Sequence, residues 1–185
     1  MLRLTNRRSI KGYRNTIYIP LNVWMKNCQF QIVGSRNLIN ISNMVRLNGV
    51  KFYIEGNDNV IDIKNNVTFG EGSVLWIEDN NCGITIGEQS TFGSAHLAAT
   101  EDGSSISIGK DCMFSDDIDV RTGDSHSIID LATGKRINFA KNVVIGNHVW
   151  CGAHSSILKG ANIPDGVVVA TRSIVTDARG YLRIL

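Results

Sequence analysis

The chain has 185 residues, of which 43% are hydrophobic and 19% charged, with a formal charge of +2 at pH 7. That length is one domain's worth, with ample apolar content for a core, and the small net charge excludes a strong general attraction to nucleic acid or to a membrane. No apolar run approaches the roughly 18 residues of a membrane-spanning helix, the opening MLRLTNRRSI has no apolar stretch of signal-peptide length, and the chain reads as cytoplasmic.

In chain order, residues 1–29 form an N-terminal coil or cap, and a repeat begins inside them. IKGYRNTIYI from Ile10, IVGSRNLINI from Ile32, IEGNDNVIDI from Ile54, IEDNNCGITI from Ile77 and ATEDGSSISI from Ala99 are spaced by 22, 22, 23 and 22 residues. Each unit opens apolar and closes on an apolar-x-apolar pair, which strand alternation puts on one face. Between these lie Gly, Asn, Asp and Ser, residues that tolerate left-handed turn conformations. The 18 glycines against 2 prolines fit such turns better than helices. Asn15, Asn37 and Asn59 share one slot of the repeat, which Cys82 and Ser104 take over later.

A period of six runs inside the longer one. Ile63, Phe69 and Leu75 show it, then Ile86, Phe92 and Ala98, then Ile108, Phe114 and Val120. Towards the end it continues unbroken through Ile145, Cys151, Ile157, Ile163, Val169 and Val175. Period six with the apolar residue inward marks a hexapeptide parallel β-helix, in which three hexapeptides make a triangular coil of about 18 residues. The 22–23-residue units are then the same coil with widened corners. One coil cannot bury its own apolar edge, so stability comes from stacking on its neighbours. Cys28, Cys82, Cys112 and Cys151 form no CxxC pair and read as buried thiols.

The rhythm breaks once, between Val120 and Ile145. The interruption, about residues 122–142, is too long for a corner and carries or adjoins Arg121, Lys135, Arg136 and Lys141. A loop projecting from a rigid solenoid is a usual place for function. It contains His126.

MFSDDIDVRTGDSHSIID, GKRINFAKNVVIGNHVWCGAHSSILKGANI and VVVATRSIVT together resemble the bacterial hexapeptide O-acetyltransferases. The resemblance covers roughly residues 86–177. Within that group it is nearest to enzymes that acetylate capsular polysaccharide or O-antigen sugars, the polysialic acid O-acetyltransferases among them. It implies a single left-handed β-helix domain over residues 1–185, with one protruding catalytic loop and CoA-binding coils at residues 143–177. It further implies a homotrimer that binds acetyl-CoA between neighbouring subunits and a glycan acceptor, with no metal, no nucleic acid and no membrane insertion. The hand comes from the resemblance alone, because parallel crossovers are generally right-handed.

Acetyl transfer to a sugar hydroxyl requires that hydroxyl to lose its proton as it attacks. Histidine suits the task, since an unperturbed imidazole accepts a proton near neutral pH, and a positioned base contributes about 10²–10⁴-fold. His126 matches the catalytic position of the resembled family. Asp124, two residues away, or Asp119, Asp116 or Asp117 on the preceding coil is a candidate to orient it, as is a backbone carbonyl. His148 and His154 each stand third after an inward residue, on successive faces, and read as structural or cleft-lining. His96 is assigned the corresponding place after Phe92 and no role.

Trp150 precedes the inward Cys151, so alternation turns its indole outward, and the resemblance makes it an active-site wall. Ala153, Thr171 and Thr176 match positions that contact CoA, and Lys159 and Arg172 are candidates for its phosphates. A backbone amide in residues 150–153 is the candidate donor to the oxyanion of the tetrahedral intermediate. Arg121, Lys135 and Arg136 are acceptor-binding candidates for an anionic glycan. The C-terminal DARGYLRIL departs from the proline-containing close of the resembled family, which puts the adenine contacts in question. Two other readings share the fold: a non-catalytic binding or scaffold solenoid, and a zinc carbonic-anhydrase-like enzyme, for which the histidines lack close ligand spacing.

Overall fold

In the computed structural model, which describes residues 6–176, every strand pair is parallel and the strands fall on three faces. The first face is an eight-stranded sheet running from Arg7–Lys11 to Ile174–Val175. The second and third faces have seven strands each, from Thr16–Tyr18 to Asn162–Ile163 and from Trp24–Lys26 to Val168–Val169. Each face pairs one coil with the next in a constant register, and the whole is a left-handed parallel β-helix. The C-terminal run 177–185 lies outside the described residues, as do residues 1–5.

The hexapeptide positions are the core. Ile145, Cys151, Ile157, Ile163, Val169 and Val175 are all buried, on the second, third and first faces in rotation. Stacking in register also puts like on like. Phe30 lies flat against Phe52 with ring centroids 4.6 Å apart, and Phe69, Phe92 and Phe114 form a second column at 4.2 and 4.7 Å. The four cysteines are buried free thiols. Burial raises each thiol's pKa, that of Cys151 to about 12, which removes them from nucleophilic chemistry.

The slot shared by Asn15, Asn37 and Asn59 is a polar ladder through this apolar interior. Asn37 N–H donates to Asn15 Oδ1 and Asn59 N–H to Asn37 Oδ1, each at 3.0 Å, and Cys82 N–H donates to Asn59 Oδ1 at 2.8 Å. Their side-chain amides donate to the carbonyls of Gly34, Gly56 and Asp79 at 2.8–2.9 Å. Asn59 is fully buried, and it stays there because these bonds satisfy it. Ser104 continues the column, and its hydroxyl lies 3.0 Å from that of Thr122. The ladder therefore ends at the root of the long loop.

The widening of the coils is confined to one side, not shared among the corners. From the third to the first face the spacing stays at five or six, five from Leu47 to Phe52 and six from Phe69 to Leu75, whereas Leu75 to Ile86 on the second face takes eleven residues. Phe92 to Leu97 is again five, so Leu97 is the inward residue there and Ala98, which counting by six puts inward, faces out. Strands of the first face are five residues long in the early coils and two in the last two. The last coils have dropped the extension, leaving a step at the corner between the first and second faces.

Turn conformation and close approach decide the glycines. Gly56 has φ +142°, and a Cβ there would lie 1.8 Å from the Asp79 carbonyl oxygen of the next coil; Gly103 has φ +77° with nothing within 4 Å of such a Cβ. Gly103→Ala is expected to cost about 1–2 kcal/mol of backbone strain. Gly56→Ala adds a clash of about 1–3 kcal/mol that the stacked coil cannot relieve. Urea unfolding of the pair checks the order; equal losses would show that the coils move apart freely.

Candidate functional site

The long loop leaves the first face after strand Ile118–Arg121 and rejoins the second at Val143–Ile145. Thr122, fully buried, fixes its start, and Lys141 N–H donates to Thr122 O at 2.9 Å to close its base. Its tip is a short hairpin. Ile129 and Arg136 form an antiparallel bridge, with Ile137 N–H bonded to Ile128 O at 2.9 Å. The loop is less polar than its sequence implies: Ile128, Ile129, Leu131, Ile137 and Phe139 are all exposed, Leu131 at 98%.

Asn138 organises the loop. It is 7% exposed, and its side chain donates to His126 O at 2.7 Å and Asp124 Oδ2 at 2.8 Å. The same side chain accepts from Ile128 N–H at 2.6 Å and Arg136 Nε at 3.2 Å. Both sides of His126 are thereby pinned to one buried amide. Two ties bind the loop to the solenoid. Lys159 donates to Asp124 and, at 3.1 Å, to Asn138 O. Arg136 pairs with Glu101, which also accepts from Ala140 N–H at 3.2 Å. Sequence reasoning missed Asn138 and Glu101, because their partners converge only in the folded loop.

Three of the four histidines are taken by aspartates of an adjacent coil, the following one for His96 and the preceding one for His148 and His154. Nδ1 of His96, His148 and His154 lies 3.0, 2.8 and 2.9 Å from Asp119, Asp111 and Asp117 respectively. His148 and His154 occupy successive corners with φ of 55° and 59°. His96 does not hold a corresponding corner; it points outward from strand Ala95–Ala99 on the first face. The His126 imidazole, exposed, has no hydrogen-bond partner among the described residues.

Several expected roles change accordingly. Asp124 is engaged by Lys159 and Asn138, and Asp119 by His96 and Arg121, so neither orients His126 within the chain. Lys159 is spent on the loop instead of projecting into a phosphate site. Arg136 is tied to Glu101 and lies 5.0 Å over the Phe139 ring, so it too is structural, whereas Lys135 stands exposed at the hairpin. Ala153, Thr171 and Arg172 meet on the corner between the third and first faces, where Arg172 N–H donates to Ala153 O at 2.9 Å. Thr176 follows Ile174–Val175, at the opposite end of the first face.

Trp150 is 51% exposed on the third face, in register between Met113 and Val168. The loop departs from the corner between the other two faces. Of the amides in residues 150–153, those of Trp150 and Gly152 donate to Val167 O and Val169 O. The Ala153 N–H has no acceptor among the described residues.

The first face holds a feature that sequence reasoning left unused. A groove of about 410 Å³ is lined by Gly72, Ser94, Ala95, His96, Asp117, Ile118, Asp119 and Arg121. Burial pushes the Asp119 pKa up, but hydrogen bonds from His96 and from Arg121, at 2.6 Å, outweigh it and hold the carboxyl below its ordinary range. Beside the groove, Tyr53 and Trp76 stack at 3.8 Å, and Trp76 meets His96 edge-on at 6.3 Å.

Comparison with known proteins sets this geometry in context. No protein-family model matches the chain. It is 44% identical over 81 residues to the polysialic acid O-acetyltransferase of Neisseria meningitidis, which is 44% of this chain and 37% of that protein. It is 40% identical over 77 residues to the enzyme of that name from Escherichia coli O1:K1 / APEC, or 42% of this chain and 25% of that protein. The matched region thus spans well under half the length of either relative. Among solved structures, the polysialic acid O-acetyltransferase OatWY superposes with a TM-score of 0.82 at 31% identity, over 92% of this chain and 81% of that one. The polySia-specific acetyltransferase NeuO gives 0.77 at 26% identity, over 94% and 79%.

The loop's anchorage carries a pH dependence. The hydrogen bond from Lys159, then that from Asn138, holds the Asp124 carboxyl below the ordinary aspartate range. A carboxylate with a depressed folded pKa lends stability that is complete above its unfolded value, near 4, and is lost as pH falls through the folded value. Proteolytic nicking of the loop is therefore expected to accelerate below about pH 4, before the solenoid's circular dichroism changes. Asp124→Asn should flatten that acceleration; an identical acid response in the variant would exclude Asp124 as the anchor.

Proposed function

The chain belongs to the polysialic acid O-acetyltransferase family, and from that premise we propose that it moves the acetyl group of acetyl-CoA onto a hydroxyl of a surface polysaccharide. The acceptor is a capsular or O-antigen glycan, with sialic or polysialic acid the first choice because the relatives' names specify it. The observation that carries this reading is the state of the histidines. His96, His148 and His154 are each bound to an aspartate, while His126 presents a free imidazole from an anchored loop.

The acceptor O–H gives its proton to His126 as the oxygen attacks the thioester carbonyl carbon. The charge that develops on the carbonyl oxygen is met by an N–H donor, for which Ala153 offers its uncommitted amide. The C–S bond then breaks, and the imidazolium returns the proton to the departing thiolate. Ala153, Thr171 and Arg172 form the pantetheine and phosphate corner, and Trp150 supplies an apolar wall for the acetyl group or sugar. Thiol release from acetyl-CoA with polysialic acid as acceptor is the direct assay. His126→Ala should lower turnover at least about a hundredfold; a variant that keeps its rate would remove His126 as the base.

We also place the enzyme in the cytoplasm, where acetyl-CoA is made, as a homotrimer. The trimer is supported by the loop, whose Leu131, Ile137 and Phe139 are uncovered in a single chain, more apolar surface than an isolated loop tip needs. It also brings the loop of one subunit within reach of a Trp150 face it cannot meet on its own chain. Light scattering should return three times the 20.3 kDa chain mass. Leu131→Asp should reduce that mass along with activity; an undiminished trimer would mean the loop tip lies outside the interface.

A further inference from the structure

The groove on the first face and the aromatic pair beside it lie on consecutive coils and form one continuous surface. Lys51 and Tyr53 come from one coil, Trp76 from the next, His96 from the next, and Asp119 and Arg121 from the one after. Consecutive coils are about 4.8 Å apart, the scale on which successive sugar rings follow one another in an extended glycan. Ala98 points outward in register between Trp76 and Arg121 yet is only 5% exposed, because the two larger side chains close over it.

The groups on this surface are those that grip sugars. The Lys51 ammonium lies 5.2 and 5.3 Å from the Tyr53 and Trp76 ring centroids and has no carboxylate partner among the described residues. Its charge is held in place over apolar rings and left unneutralised. Arg121 uses Nε on Asp119, while its two terminal nitrogens are unpartnered among the described residues, a fork suited to a carboxylate. At the other end, Asp117 ties the groove to His154, beside Ala153 on the corner assigned to acetyl-CoA.

We propose that this face is the acceptor platform. The groove seats the sugar next to the transfer site through His96, Asp119 and Arg121, and the Tyr53–Trp76 stack with Lys51 holds a neighbouring carboxylate-bearing sugar of the same chain. The proposal rests on the acetyltransferase reading and adds to it a preference for polymers over short acceptors, set by residues far along the coil axis from His126.

The test compares KM for long-chain polysialic acid with KM for a sialic acid dimer. Trp76→Ala and Lys51→Ala should each raise the long-chain KM about tenfold and bring the two KM values together, while Trp76→Phe, which keeps a ring on Tyr53, should restore most of the difference. An unaltered ratio in both alanine variants would overturn the platform. Should no glycan be acetylated, calorimetry of polysialic acid with the His126→Ala protein separates the two ideas. Binding that weakens about tenfold in the added Trp76→Ala variant supports the platform without the transfer reaction, and no binding at all refutes it.

Discussion

The structure depends on coils that cannot stand alone. Each coil has a buried edge only because another lies on it, and its backbone N–H groups donate to carbonyls of the adjacent coil, as Thr16 does to Asn37 and Trp150 to Val167. Register is therefore unforgiving: a slip of one residue along a face would turn every inward side chain out. That constraint organises the molecule in columns. A buried asparagine such as Asn59 is tolerable because the backbone of the next coil, the Asp79 carbonyl and the Cys82 N–H, satisfies its side chain, and the phenylalanine columns stack because register lets them do nothing else.

The long loop is the part that stacking does not dictate. It is ordered by polar groups that reach across to the solenoid: Thr122 at the foot of the polar ladder, Glu101 holding Arg136, Lys159 holding Asp124. Asn138 gathers these into one centre and clamps the backbone of His126. Regular coils thus supply rigidity, and a small buried network uses it to place one side chain. Sites supported in this way hold geometry better than sites on unsupported loops.

Much of this is legible in the sequence for a simple reason: a solenoid turns distance along the chain into position on a lattice. The inward residues from Ile145 to Val175, the outward Trp150 and the interruption holding His126 all come from counting by six. The pairing of His96 with Asp119 is accessible too, since 23 residues is one coil, though counting on from Phe92 puts His96 at a corner instead of on the first face. The roles of Asn138 and Lys159 are not accessible. Both residues lie in or against the one segment where counting fails, and a cation beside a turn reads the same whether it meets a phosphate or an aspartate. The exposed Leu131 and Phe139 are masked in the sequence because the loop's charges dominate its composition.

The step in cross-section has a consequence for how such a protein can vary. Early coils take 22 or 23 residues and the last ones 18, and the loop with its Lys159 anchor sits where one pattern gives way to the other. The loop is therefore located by a change of calibre and not by distance from the N-terminus. Whole coils of the wide kind form a handle whose length can be altered without moving the head. A four-residue change in a single late coil would shift the collar itself.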